Sequence, residues 1–292
     1  MATLNSRKNS RQADHELVCQ VCVNKRYTIT AGQEFAVAAR CHACFRVCPT
    51  CQGAGVLFKE DWTGAVTSKT CGCRTLDERL RLFNDATVPR RYINADLNSF
   101  DWRENKSLRD VQLALLKLER DFEPGQKGMG LSGPVGSGKT HLMAAFVREI
   151  TLSRGIPTVF VEFTHLLASI RAGYDKQQGE ANMLEPLIDA PVLIIDELGK
   201  GLTTEWQMAI LDELVSKRYN RSVTTCFTTN FPFRDRTQSS ARSRENFEAV
   251  LLEERVGERI FSRISEMCDL HRVDAEDYRK SRPAAGKSPE PL

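Results

Sequence analysis

The sequence predicts an α/β fold, in which a parallel sheet lies between helices, preceded by a small domain of zinc-ribbon type. Three observations support this prediction. From residue 128 onward, short apolar runs alternate with segments of helical periodicity, which is typical of a parallel sheet covered on both faces. Gly133–Thr140 fits the phosphate-binding pattern G-x-x-x-x-G-K-[ST] at every fixed position. Eight of the ten cysteines fall between Cys19 and Cys73, which indicates a separate metal-binding unit.

The composition is that of a protein with a sizeable core. The chain has 292 residues, 41% of them apolar, which is enough for one domain of ordinary size and a smaller one. No apolar run approaches the roughly 20 residues that a membrane helix needs, and the polar start lacks the apolar segment of a signal peptide. We therefore expect a cytoplasmic protein without membrane contact, in which metal binding is favoured over disulfides.

Charge is spread unevenly along the chain. The formal net charge is +3, yet residues 1–75 carry ten Lys and Arg against five Asp and Glu. A basic segment favours contact with nucleic acid, so DNA is an expected partner, although eight thiolates on two Zn²⁺ would add −4 and bring this segment from +5 to near +1.

Five regions are expected along the chain. The connector contains two predicted helices, at Leu76–Phe83 and Ser107–Phe122, and both ends of the chain are polar or rich in Pro, Gly and Ser. The regions are a disordered tail at 1–16, a zinc-binding cysteine module at 17–75, a helical connector at 76–127, the nucleotide-binding core at 128–280 and a disordered tail at 281–292.

The clustered cysteines predict two Zn²⁺ sites. They form four close pairs: Cys19/Cys22, Cys41/Cys44, Cys48/Cys51 and Cys71/Cys73. A Cys-x-x-Cys turn directs two thiolates at one ion, so two such turns complete a tetrahedral site. Sequential pairing joins the first pair with the second and the third with the fourth, whereas nested pairing joins the outer pairs and the inner pairs. We favour sequential pairing, because each site then encloses a loop of ordinary zinc-ribbon length. His42 lies between two of the cysteines and is interpreted as a surface residue.

The outer face of this cysteine module has two open interpretations. The zinc ions either staple a small domain that lacks a sufficient core, or they support a surface that docks a protein or nucleic acid. Ligation alone does not distinguish these roles.

The phosphate-binding segment predicts a nucleotide site. Its glycines let the backbone bend around phosphates, Lys139 reaches the β- and γ-phosphates, and the Thr140 hydroxyl ligates Mg²⁺. A buried strand at Gly128–Ser132 precedes it and a helix at His141–Ile150 follows. The expected nucleotide-binding residues are Gly133, Pro134, Val135, Gly136, Ser137, Gly138, Lys139, Thr140 and His141, with Asp196 from elsewhere.

A second constellation lies some 55 residues later. The apolar run Pro191–Ile195 predicts a central strand that delivers Asp196 and Glu197 at its carboxyl end, where parallel sheets bind ligands. Asp196 is expected to support Mg²⁺ and Glu197 to polarise the attacking water. Other elements are predicted as strands at Thr158–Phe163 and Val223–Thr229, helices at Thr164–Tyr174 and Glu205–Asn220, and a helix-rich segment at Arg242–Met267. On spacing alone, Asn230, whose amide could orient a water at the end of a strand, is better explained as closing a turn before Phe231-Pro232.

Several linked motifs between about residues 76 and 280 resemble the AAA+ ATPases of the DnaC/IstB group, which comprise bacterial replicative-helicase loaders and transposase helper ATPases. The fold implied is a P-loop AAA+ core, and the nucleotide implied is ATP. Some relatives also have a Cys-x-x-Cys and Cys-x-Cys unit like Cys48–Cys73, whereas Cys19–Cys44 goes beyond that pattern. The motifs are VPRRY at 88–92, GPVGSGKTHL at 133–142, VLIIDELG at 192–199, KRYN and FTTN within 217–230, GERIFSRI at 257–264 and DYR at 277–279.

The resemblance implies further roles. Asn230 matches the sensor residue that orients the hydrolytic water. Arg263, or failing that Arg259, matches the arginine finger that reaches the ATP of a neighbouring subunit, so hydrolysis is expected in an ATP-bound ring or spiral. Asp196-Glu197 departs from the Asp-Asp common in loaders, which should favour hydrolysis.

Three functions are consistent with these features. The first is a Mg²⁺-dependent ATPase that loads or remodels a protein–DNA assembly, with a replicative helicase as partner. The second is a helper ATPase that coats duplex DNA and recruits a transposase. The third is a nucleotide-gated adaptor whose zinc module holds a protein client.

Overall fold

The computed structural model describes residues 18–102, 105–175, 180–233 and 250–278. The tails predicted at 1–16 and 281–292 lie outside these residues, as does the stretch 242–249 of the predicted helix-rich segment. Within the described ranges, the longest apolar helical stretches fall short of what a membrane span requires.

Two antiparallel hairpins form the N-terminal part. Strands β1 and β2 form the first hairpin, and β3 and β4 form the second. Their bounds are β1 Tyr27–Ala31, β2 Ala36–Arg40, β3 Val56–Glu60 and β4 Val66–Thr70.

The rest of the described chain is a parallel five-stranded sheet between helices. The strand order is β6-β7-β8-β5-β9, and every pairing is parallel. The bounds are α1 Gly72–Asp85, α2 Lys106–Arg120, β5 Gly128–Ser132, α3 Lys139–Leu152, β6 Thr158–Glu162, α4 Phe163–Asp175, α5 Glu180–Asp189, β7 Val192–Asp196, α6 Glu205–Arg221, β8 Thr224–Thr229, α7 Leu252–Val256, α8 Glu258–Met267 and β9 Cys268–Arg272, with a 3-10 helix at Arg90–Tyr92.

Each face of the sheet is covered by its own set of helices. Buried side chains of α1, α2 and α3 form the core on one face, and those of α4 to α8 form the core on the other. The predicted α/β class with a parallel sheet between helices is confirmed. Strands β5, β7 and β8 lie side by side, so their carboxyl ends share one edge of the sheet.

Close packing explains the glycines of β5. A Cβ added at Gly130 would lie 2.4 Å from Cζ of Phe227, and one at Gly128 would lie 1.9 Å from the Thr225 carbonyl oxygen. Strand β5 therefore sits against the fully buried Phe227 of β8 without side chains of its own at these positions.

Three differences from the predicted elements have physical reasons. Helix α1 begins at Gly72 rather than Leu76, because the last cysteine pair straddles its start: Cys71 is the N-cap and Cys73 lies in the first turn. Strand β9 and helix α5 were not predicted, since β9 (CDLHR) is short and mixed in polarity and α5 carries a proline. The four hairpin strands were also missed.

The first hairpin packs on the core. Ala36 and Ala38 of β2 are buried in the cluster that also contains α1 and α3. The Asn84 side chain accepts from Ala38 N–H at 2.7 Å and donates to Ala38 O at 3.1 Å. Arg40 of β2 forms two hydrogen bonds to Asp77 of α1. The cysteine module and the predicted connector are thus joined by a shared core.

The second hairpin projects into solvent instead. Every residue of β4 is exposed, and Trp62 in the connecting turn is 96% exposed.

Candidate functional site

The phosphate-binding segment lies between β5 and α3. Gly138, the N-cap of α3, has φ of 95°, and Gly136 has φ of 80°, left-handed values that favour glycine. The C-terminal chain crosses this loop: Tyr278 N–H donates to Gly136 O at 3.0 Å. A Cβ at Gly136 would lie 1.9 Å from Oδ1 of Asp277, so a larger residue there would have to displace the Asp277 carboxylate.

Lys139 is folded into this loop. Its ammonium donates to the carbonyl oxygens of Gly133 and Pro134 at 2.8 and 2.7 Å, and to Ser137 Oγ at 3.3 Å. Burial lowers the pKa of Lys139 to about 8, while the carboxylates of Asp196 and Glu197 oppose that shift. Within the described chain, the hydrogen-bond partners of this buried ammonium are uncharged loop oxygens, which fits a nucleotide because bound phosphates supply the missing negative charge.

Two hydroxyls converge on Asp196, the last residue of β7. Thr140 Oγ1 and Thr228 Oγ1 both donate to Asp196 Oδ1, at 2.9 and 2.5 Å. Burial raises the pKa of Asp196, and the two hydroxyl bonds oppose that rise. A buried carboxylate beside a threonine hydroxyl provides the hard oxygen ligands that Mg²⁺ prefers, so this pair fits the ion.

Glu197 follows in a left-handed conformation, with φ of 56°. Such a backbone costs on the order of 1–3 kcal/mol for a residue other than glycine. Thr228 holds it in place: its Oγ1 accepts from Glu197 N–H at 3.1 Å, and its carbonyl accepts from Leu198 N–H at 2.8 Å. The Glu197 side chain forms an ion pair with Lys200. The turn therefore presents a second carboxylate just beyond Asp196.

The cysteines form two tetrads. Cys19, Cys22, Cys41 and Cys44 form the first and Cys48, Cys51, Cys71 and Cys73 the second, with all sulfurs of a tetrad within 4.8 Å of one another. This is the sequential grouping, and His42 is exposed and outside both tetrads.

The sulfur spacing within the tetrads fits Zn²⁺. Four thiolates at about 2.3 Å from one tetrahedral ion are about 3.8 Å apart. The observed distances are 3.9 Å between Cys19 and Cys41 and 3.7 Å between Cys48 and Cys71, with shorter ones of 3.3 Å between Cys22 and Cys44 and 3.5 Å between Cys51 and Cys73. Bonds from backbone N–H groups, chiefly that of Cys51, lower the pKa of Cys48 to about 6, which favours the thiolate that binds metal.

Comparison with known proteins identifies the family. The model of the protein family described as IstB-like ATP binding protein matches residues 73–285, which is most of the chain. The chain belongs to this IstB-like family. Its match therefore begins within the second cysteine tetrad, at Cys73, and covers the whole described sheet.

Individual relatives of this IstB-like protein are helicase loaders. It is 22% identical over 156 residues to the replicative helicase loader DnaC of Buchnera aphidicola, a match that covers 53% of this chain and 63% of that protein. It is 26% identical over 119 residues to DnaC of Escherichia coli K12, covering 40% and 48%. The matched region thus spans about half to somewhat under two thirds of these curated relatives.

A solved structure agrees with the fold. The crystal structure of the DnaC helicase loader matches with a TM-score of 0.54 and 29% identity, covering 63% of this chain and 99% of that chain. The core of this IstB-like protein is thus an AAA+ P-loop core of the DnaC type.

The remaining predicted residues of the IstB-like core lie in two places. Asn230 directly follows β8 and is exposed, at the edge of the sheet where β7 ends at Asp196 and Glu197 follows. On α8, Arg263 donates to Asp212 Oδ1 at 3.1 Å and is 25% exposed, whereas Arg259 is 71% exposed. Among the described residues, the acidic partner of both arginines is therefore Asp212 of α6. Arg279 of the DYR motif lies outside the described residues.

His141 contributes a ring next to the phosphate loop. It contacts the rings of Tyr92 and Phe100, with centroids 6.1 and 5.5 Å away. Burial lowers the pKa of His141, which favours the neutral ring. The VPRRY motif, which ends at Tyr92, is thereby brought against the start of α3.

Sequence reasoning missed Thr228 and Lys200 as site residues. Thr228 sits in β8, where four threonines, Thr224, Thr225, Thr228 and Thr229, are all buried. Hydroxyls inside a central strand need partners, so this polarity was a usable signal. No comparable signal marked Lys200, because a lysine in a glycine-flanked turn is usually solvated.

Proposed function

We propose that this chain is a Mg²⁺-dependent ATPase that assembles into a ring or spiral and loads or remodels a protein–DNA assembly, as a replicative helicase loader. The observation that carries the proposal is the Thr140–Asp196 contact, with Glu197 next to it, in a core like that of the DnaC loader. This role implies a cytoplasmic location.

In this proposal each residue of the site has a separate task. Lys139 and the loop N–H groups bind the β- and γ-phosphates, and Thr140 and Asp196 hold Mg²⁺, which neutralises developing charge on the phosphates. Glu197 polarises the attacking water, and Asn230 orients it beside the γ-phosphate. Proton transfer and positioning of this kind each lower the barrier to hydrolysis.

Assembly completes the site. Arg263, or alternatively Arg259, stabilises the transferring phosphoryl group of the adjacent subunit, as an arginine supplied in trans does. The Asp212 carboxylate holds Arg263 in the single chain, so assembly must compete with that hydrogen bond.

The partner is proposed from the relatives. Proteins named as replicative helicase loaders are similar to this chain over its ATPase core. The two cysteine tetrads precede that core, where a surface for the partner would lie beside the ATPase.

One experiment tests the function at two levels. ATP turnover is measured with Mg²⁺ for the full chain and for Lys139→Ala, which we expect to lose nucleotide binding. Helicase capture and loading onto single-stranded DNA are then measured with and without ATP. A chain that hydrolyses ATP but never alters helicase occupancy on DNA would contradict the loader role.

The second candidate is a transposition helper ATPase, favoured by the IstB-like description of the family. Filaments on duplex DNA that recruit a transposase would support it over the loader. A third candidate, the nucleotide-gated adaptor, draws on the solvent-exposed β3–β4 hairpin with Trp62. ATP turnover that DNA leaves unchanged would favour the adaptor.

A further inference from the structure

A lysine three residues after Glu197 is ion-paired with it. The Lys200 ammonium donates to Glu197 Oε2, and Lys200 N–H closes the same turn by donating to Glu197 O at 3.0 Å. Glu162 at the end of β6 and Asp196 also lie close enough to raise the pKa of Lys200, after the larger effect of the Glu197 bond. The Lys200 ammonium therefore lies among the carboxylates of the site.

The backbone that carries this lysine is fixed on both sides. The Leu198 carbonyl accepts from Thr229 Oγ1 of β8 at 2.9 Å, and the Gly199 carbonyl accepts from Arg255 Nε of α7 at 2.9 Å. Because the turn is anchored to two elements, the Lys200 side chain starts from a set position. Rotation about the side-chain bonds of Lys200 is then the motion that separates its ammonium from Glu197.

The ion pair is accessible to water. The Lys200 side chain is 54% exposed and that of Glu197 is 30% exposed. Exposed pairs are weak, so a competing anion can draw the ammonium off. While the pair lasts, Glu197 Oε2 is occupied by the Lys200 ammonium and is not available to accept a hydrogen bond from the attacking water.

We propose that Lys200 is a positioning residue that restrains hydrolysis by holding the Glu197 carboxylate away from the attacking water. This inference rests on the proposed ATPase function. It makes the ion pair a latch whose opening precedes each turnover.

The test compares ATP turnover at saturating Mg²⁺-ATP for the full chain, Lys200→Ala, Lys200→Gln and Lys200→Arg. Lys217→Ala is the matched control, because it removes the ammonium of the exposed Lys217–Glu213 pair on α6. We expect the Lys200→Ala and Lys200→Gln variants to hydrolyse ATP about two- to fivefold faster, which is the rate change that corresponds to the loss of an exposed ion pair. Lys200→Arg and the control should keep the original rate, and a fluorescent ATP analogue should bind all variants equally.

The alternative results are distinguishable. Unchanged or slower turnover in both Lys200→Ala and Lys200→Gln, with ATP binding intact and the parent chain active, overturns the latch alone. Slower turnover would give Lys200 a supporting part in hydrolysis instead. ATP binding without turnover in the parent and in every variant overturns both the latch and the proposed ATPase function, whereas turnover only after Lys200→Ala supports both.

Discussion

Thr140 Oγ1 donates to Asp196 Oδ1 at 2.9 Å, joining the first turn of α3 to the end of β7 across 56 residues of sequence. Both residues are fixed by regular elements, so their oxygens are placed before any ion arrives. Sites built on helices and strands hold their geometry more closely than sites on loops. Thr228 is the third member of this group, and it also supports the turn at Glu197.

Thr228→Val tests that support. The substitution keeps the shape but removes the hydroxyl that donates to a buried carboxylate, a bond that contributes about 1.5–3 kcal/mol. We expect ATP turnover to fall about ten- to hundredfold, with nucleotide binding largely kept. Thr228→Ser, which restores the hydroxyl, should recover most of the rate in the same steady-state assay. Full activity of the valine variant would show that Asp196 needs no second donor.

The arginine finger is tested by mixing subunits. Arg263→Ala should bind ATP normally and lose hydrolysis, while Lys139→Ala should lose binding but retain its finger. A mixture of the two should regain turnover, because an intact ATP site then meets an intact arginine from its neighbour. Arg259→Ala tests the alternative finger on the same helix and should keep hydrolysis if Arg263 is the finger. Robust hydrolysis by Arg263→Ala alone would reject the assignment.

Metal content distinguishes the two cysteine groupings. Purified protein should contain two zinc ions per chain, measured by elemental analysis. Under the sequential grouping, Cys19→Ser with Cys41→Ser damages one tetrad and leaves one ion, whereas Cys19→Ser with Cys48→Ser removes both. Loss of both ions from the first double variant would contradict this grouping. Chelation should also lower the melting temperature, because metal binding contributes to folding.

Arg218 is predicted to stabilise the fold. It is fully buried and donates to the carbonyls of Leu187, Ala190 and Thr224, and its partners within the described part of the chain include no carboxylate. Arg218→Met leaves these acceptors unpaired, so we expect a loss of about 3 kcal/mol in the free energy of unfolding.

Arg221→Met is the matched control for Arg218. Its partners Glu185 and Asp189 are exposed, so the change should cost under about 1 kcal/mol. Denaturant unfolding of both variants checks the difference. Equal stabilities would mean that water satisfies the carbonyls near Arg218.

The elements that could be predicted from the sequence are those with a periodic apolar pattern or a recognisable motif. Strand β5, helix α3 and the acidic end of β7 followed from apolar runs and from G-x-x-x-x-G-K-[ST], because a phosphate site constrains its residues locally. Strand β9 did not follow, since CDLHR forms a strand only by pairing with β5 across more than a hundred residues. Its pairing is set by tertiary contact rather than by local preference.

The site was predictable to a similar extent. Lys139, Thr140, Asp196 and Glu197 carry recognisable chemistry at fixed spacing, and the structure brings them to one edge of the sheet. Their roles in turnover stay predictions. The contacts made by Thr228 depend on β8 lying between β7 and β5, and strand order is not written in any single segment.

The packing of the first hairpin has a practical consequence for dissecting the chain. A fragment that stops at residue 75 would cut α1 four residues after it begins and deprive Ala36 and Ala38 of the surface that buries them. The remaining ATPase half would expose the matching apolar patch to water. Expression of either half alone should therefore yield aggregation-prone protein, and partner mapping is better done by point substitution on the β3–β4 hairpin of the intact chain.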